Sequence, residues 1–153
     1  MNRYCVMGLL SLLVVGCAAQ MVEHDANDSC AKQGKKAFIF DAKQSGIPLF
    51  VDSASAMVLC VGPEDVVHLS PAFGADAVSA ANFKGAGIVS VTPGSVAAKA
   101  LLKPNDIVVE FGGHSIDSAA ELRFQVNATS PGDQAVIRVR RNGDKYIAVT
   151  AQF

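Results

Sequence analysis

A chain of 153 residues is long enough for one core of ordinary size and too short for two. Half of it is apolar, only 18% is charged and the formal net charge is −1, so it has no basic excess to recruit nucleic acid or anionic lipid. The lack of Trp and the 7% of aromatic residues argue against base-stacking platforms and sugar-binding faces.

Taken in order, Arg3 precedes an apolar run from Val6 to Val15, and small residues follow at Gly16, Ala18 and Ala19. That is the layout of a secretory signal, too short for a stable transmembrane helix. Val14-Val15-Gly16-Cys17 resembles the lipobox of bacterial lipoproteins. The resemblance implies that residues 1–16 are a signal peptide, that Cys17 is lipidated, and that the membrane is met through this anchor alone. Ala18 after the Cys then implies the periplasmic face of the outer membrane in a Gram-negative envelope. The competing reading is a plain secretory leader cut near Ala19, with Cys17 discarded.

Cys5 lies in the leader, so with Cys17 lipidated the mature chain keeps Cys30 and Cys60. In an oxidising compartment a remainder of two reads as a disulfide. A metal site competes weakly, because His24, His68 and His114 are scattered and neither Cys has a ligand-spaced partner. No metal or other cofactor is therefore expected. Residues 17–35 are polar and aperiodic and read as a flexible tether. Lys36–Asp41 and Ala56–Val61 read as strands on either side of a Gly46-Ile47-Pro48 turn. Residues 36–70 are too few for a core of their own, which predicts a small β-rich segment packed on the remainder of the chain.

From residue 71 the alternation becomes regular. Residues 73–80 and 85–91 read as two antiparallel strands. Thr92-Pro93-Gly94-Ser95 is a turn, and Ser95 is placed to cap a short helix from Val96 to Leu102. Ile107–Phe111 is an apolar strand, Gly112-Gly113 a tight turn, and Asp117 or Ser118 opens a second helix with Ala119, Leu122 and Val126 on one face. Pro131-Gly132-Asp133 stops that helix. Ala135–Arg140 and Tyr146–Phe153 then pair across Asn142-Gly143, which suits a type I′ turn. Candidates for the core are Val89, Val91, Ala97, Leu101, Ile107 and Val109.

The stretch from Ser90 to Gly113, SVTPGSVAAKALLKPNDIVVEFGG, resembles the PDZ domains of bacterial HtrA-type periplasmic proteases, and the element order from residue 71 to 153 follows the same fold. The resemblance implies an α+β architecture: a partly open β-barrel with two capping helices, preceded by the small β-rich segment. Two departures stand out. Ala100-Leu101-Leu102 occupies the place of Ala-Gly-Leu, and Asn105 replaces the Gly before Asp106.

Such a fold takes a peptide as an added strand between one strand and the long helix, and a loop of pattern apolar-Gly-apolar holds the terminal carboxylate with backbone N–H groups. The resemblance places that loop at Phe73-Gly74-Ala75, with Lys84–Ile88 as the second candidate and Ala119, Leu122 and Val126 as the opposite wall. These three helix residues are equally readable as plain core. The protease part of the HtrA architecture is missing, and no Gly-x-Ser-x-Gly elbow, acid pair or Cys/His constellation occurs, so catalytic residues are not expected. The expected function is a non-enzymatic module that binds envelope proteins or peptide C-termini by strand addition, as an adaptor for a protease or secretion machine. The alternative is a structural lipoprotein whose groove is filled by its own residues 28–70.

Overall fold

The computed structural model of the chain describes residues 25–47, 50–79, 83–143 and 145–153, with 41–47 and 50–56 as backbone only; the leader and Cys17 lie outside the described residues. Residues 25–31 form a helix, α1, where the sequence predicts a tether running to residue 35. The difference has a local cause. Ala26 and Cys30, one turn apart, are both buried, and Cys30 is bonded to Cys60 with their Cα atoms 5.2 Å apart.

Strands β1 (Lys36–Ile47) and β2 (Phe50–Val61) form a separate antiparallel hairpin, paired from Lys36↔Val61 to Ile47↔Phe50 with register shifts after Phe40 and Ser45. Both strands run past the expected limits at Asp41 and Ala56. A 3₁₀ turn, Pro63–Asp65, redirects the chain. The Asp65 carboxylate accepts the Gly62 N–H at 2.9 Å and pairs with Lys35 at 2.9 Å, so the turn is tied to the start of the hairpin.

The main sheet comprises β3 (Val66–His68), β4 (Ala75–Val78), β5 (Ala86–Val91), β6 (Ile107–Phe111), β7 (His114–Ser115), β8 (Gln134–Arg141) and β9 (Lys145–Gln152). Their order is β3-β4-β5-β6-β8-β9, with β7 on β6 and every pair antiparallel. β3 and β9 end the series, so the sheet does not close, as the resemblance implies. Helices α2 (Val96–Lys99) and α3 (Ala119–Ala128) come after β5 and β7. Ser95 and Ser118 cap them, accepting the N–H groups of Ala98 at 3.2 Å and Glu121 at 3.2 Å.

Alternation divides the apolar residues between the two faces of the sheet. Ala77, Ile88 and Val108 turn toward α2 and α3 and share the larger core with Phe73, Leu122 and Ile137. Their neighbours Val78 and Ile107 turn the other way and pack with Phe40, Val61 and Phe83. The hairpin base therefore covers the outer face, which explains why Ile107–Val109 is continuously apolar instead of alternating. One expected core residue is misplaced: Leu101 is 67% exposed, while Leu102 is buried at 4%. The cause is that α2 ends at Lys99, earlier than expected, and the chain reverses at Leu101 with φ 63°. Val89, Val91 and Val109 are half-buried at the margins of the two cores.

Candidate functional site

The candidate site is organised by β4, a four-residue strand hydrogen-bonded on both edges. On one edge lies β5. On the other lies β3, in antiparallel register Val66↔Val78, Val67↔Ala77 and His68↔Asp76, with α3 packed against it. Leu69 extends the ladder by one residue, its N–H donating to the Ala75 carbonyl at 3.1 Å. β3 thus lies between β4 and α3.

The loop that turns β3 into β4 ends with Phe73 and Gly74, and Ala75 opens β4. The Gly74 N–H donates to the Ser70 carbonyl at 2.8 Å, so that amide is satisfied within the chain. Gly74 is required twice over. Its φ is 68°, and a Cβ there would fall 2.3 Å from that of Ser95. The loop is held from behind by the Phe73 carbonyl, which accepts the Ala97 N–H at 2.9 Å, and by the Gly74 carbonyl, which accepts the Thr92 N–H at 2.8 Å. The Phe73 ring is buried against Phe153 and Phe111, with centroids 5.6 and 6.2 Å away. The second candidate loop, Lys84–Ile88, runs into β5, where the Ile88 N–H is already donated to the Asp106 carbonyl at 2.8 Å.

Ala119, Leu122 and Val126 are all buried, in the same cluster as Leu69, Phe73 and Ala75. They line one stripe of α3, at i, i+3 and i+7. The Ala119 N–H donates to Ser79 Oγ at 2.8 Å, which pins the start of the helix to the end of β4.

The outward side of the site holds a cluster that sequence reasoning did not find. Asp76 on β4 lies between His68 on β3 and Ser90 on β5, with His68 Nδ1 2.6 Å from Oδ1 and Ser90 Oγ donating to Oδ2 at 2.6 Å. Burial raises the Asp76 pKa, but the hydrogen bonds from Ser90 and His68 outweigh it and hold the carboxyl below its usual range. Ser, Asp and His occur together here without forming a nucleophilic triad. The serine donates to the carboxylate and the histidine is bonded to that same carboxylate, so no base is positioned to take the serine proton. Only strand alternation could have brought the three together in advance, and β3 is too short to announce itself. Among the described residues, no group of three or more His, Cys, Asp or Glu is arranged to hold a metal ion.

Residues 62–150 match the PDZ domain family, a span that begins just before β3 and covers more than half of the sequence. The chain belongs to the PDZ domain family. A probable periplasmic serine endoprotease, DegP-like, of Hahella chejuensis is 42% identical over 62 residues, 40% of this chain and 13% of that protein. The periplasmic pH-dependent serine endoprotease DegQ of Escherichia coli is 40% identical over 60 residues, 39% of this chain and 13% of that protein. The chain spans about an eighth of the length of these curated relatives, 13% in each case. Among solved structures, the HtrA3 PDZ domain bound to a phage-derived ligand (FGRWV) aligns with a TM-score of 0.40 and 25% identity, covering 45% of this chain and 62% of that one.

Proposed function

We infer that the protein is a non-enzymatic PDZ module of the bacterial envelope, carried on a lipid at Cys17, whose groove between β4 and α3 is closed at rest by its own β3. Partner segments enter by displacing that strand. The supporting observation is the seat of β3, antiparallel on β4 and against α3, with Leu69 completing the ladder. Three paired residues are a short strand. A partner offering a longer ladder and the same apolar side chains can compete with it, although β3 has the advantage of being tethered.

A permanently filled groove, with the protein serving as a structural lipoprotein, is the second reading, and the same seating favours it when β3 does not exchange. Two variants separate the readings. Leu69→Asp places a carboxylate in the inner core and expels β3, whereas Val67→Cys/Ala77→Cys locks β3 to the residue opposite it. Exchange predicts envelope partners that are gained by the first variant and lost by the second. Identical partner sets for wild type and both variants would leave the structural reading. The anchor is checked by fractionation: wild type sediments with membranes, and Cys17→Ala is recovered in the soluble fraction.

A further inference from the structure

We propose that the groove selects partner C-termini of the pattern apolar, cationic or hydrogen-bond donor, apolar, and that Asp76 is the residue that reads the middle position. This rests on the groove function proposed for β4 and α3 and specifies its ligand.

β3 itself is the template. Leu69 is buried in the inner core and Val67 packs against that core, so alternate residues of the occupying strand are read by apolar contact with the walls. His68, between them, turns outward and stands opposite Asp76. An ionised carboxylate can only accept, so the proton of the 2.6 Å contact belongs to His68 Nδ1. Ser90 holds the other carboxylate oxygen at 2.6 Å, which fixes Asp76 from the β5 side and leaves its remaining lone pairs for the strand in the groove. The His68 side chain is 83% exposed and that of Asp76 31%. The imidazole makes little packing contact, so Asp76 recognises charge and donor capacity in preference to shape. Lys or Arg satisfies it equally, whereas Glu or Asp places two carboxylates face to face across the ladder.

The position of the free end is set by the loop. Leu69 is the last residue whose N–H joins the ladder, and the Gly74 amide is occupied only by the Ser70 carbonyl. A ligand that ends at the Leu69 position releases that amide for its own terminal carboxylate, a charge-assisted bond that β3 cannot make.

The test uses the full-length chain in detergent with Leu69→Asp to empty the groove. Labelled peptides of residues 62–69, ending in a free carboxyl at Leu69, are titrated by fluorescence anisotropy as the native sequence and with His68→Arg or His68→Glu. The native and Arg peptides bind within about threefold of each other, and the Glu peptide binds about five- to tenfold more weakly. Adding Asp76→Asn to the protein narrows that gap to less than about twofold. Equal binding of all three peptides to the Asp76 protein overturns the selection while leaving the groove function standing. No binding of any peptide to a protein that retains its circular dichroism overturns both. Where Leu69→Asp does not fold, Leu69→Ala gives the same comparison at higher peptide concentration.

Discussion

Leu101 and Asn105 are the residues at which this chain departs from the pattern it resembles, and both take the conformation that glycine would have supplied. Their φ values are 63° and 72°. Leu101 reverses the chain after α2, its N–H donating to the Ala98 carbonyl at 3.0 Å, and Asn105 does so before β6, donating to the Ile88 carbonyl at 2.8 Å. A left-handed β-carbon-bearing residue costs about 1 kcal/mol or somewhat more, least for Asn. Arg141 holds this region in place. Its guanidinium bridges both oxygens of the buried Asp106 at 2.6 Å and also donates to the Leu101 carbonyl at 2.9 Å. Because Leu101 is exposed, its side chain contributes little packing to offset its strain. Leu101→Gly relieves that strain but adds about 0.4–1 kcal/mol of unfolded-chain entropy, so it should stabilise the protein by about 0.5 kcal/mol and Asn105→Gly should be near neutral. Urea unfolding reads both, and a lower midpoint for Leu101→Gly would refute the account. The departure was legible in the sequence, but its consequence was not: a Leu in an apolar run reads as core until the positive φ is known.

The hairpin meets the sheet at one very close approach. A Cβ on Gly87 would lie 2.7 Å from Phe40 Cζ, and the Phe40 ring, buried at 0% and 5.4 Å from that of Phe83, fills the space that a side chain at position 87 would use. Gly87→Ala should cost about 1–3 kcal/mol through overpacking, and Phe40→Ala about 3–5 kcal/mol through the cavity it leaves. In the double variant the new methyl enters that cavity, so the two losses fall short of adding by about 1 kcal/mol in a denaturation cycle. Additive losses would mean that the ring and the glycine do not meet. A glycine inside a strand is a signal of close backbone approach, and Gly87 could have been read in this way; nothing in the sequence named Phe40 as its partner. β3 was less legible still. Its three residues carry no period, and its register was fixed by β4 and α3, which supply the pairing edge and the cover. Its hold on β4 should also depend on pH. Asp76 titrates below an ordinary carboxyl, so its contribution is complete above about pH 5, where the unfolded group is fully ionised, and is lost as pH falls through its own lower pKa. Asp76→Asn should flatten the stability profile on that acid limb, as measured by urea unfolding from about pH 5 to 2; an unchanged limb would mean that Asp76 titrates alike in the folded and unfolded chain.

At the scale of the molecule, the parts with strong local signals were the legible ones: the Pro-Gly turn, the two Ser caps, the Asn142-Gly143 turn and the α3 stripe each state their own geometry. Of the candidate site, the resemblance pointed to Phe73-Gly74-Ala75 and the α3 residues, which the fold brings into one cluster, whereas the strand between β4 and α3 comes from a segment with no pattern of its own. Within that segment stands the Cys30–Cys60 bond. Cys60 lies near the end of β2, so the bond fixes α1 to the hairpin base just before the chain turns through Pro63–Asp65 into β3. The bonded cysteines are 30 residues apart, and closing a loop of that length restricts the unfolded chain by about 3–4 kcal/mol on the entropy model. The hairpin base rests on the outer core, where Val61 packs with Val78 and Ile107 two residues before the turn into β3, so loosening the base should loosen β3. Cys30→Ser/Cys60→Ser should lower the unfolding free energy by about 3–4 kcal/mol. Local exchange tests the coupling itself. Released from the bridge, the Val67 and Leu69 amides should lose hydrogen-exchange protection by a larger factor than those of Ile88 and Val108, because β3 is held by one short ladder while β5 and β6 are paired on both edges. A uniform loss across all four amides would mean that the bridge stabilises the whole fold without controlling the strand in the groove.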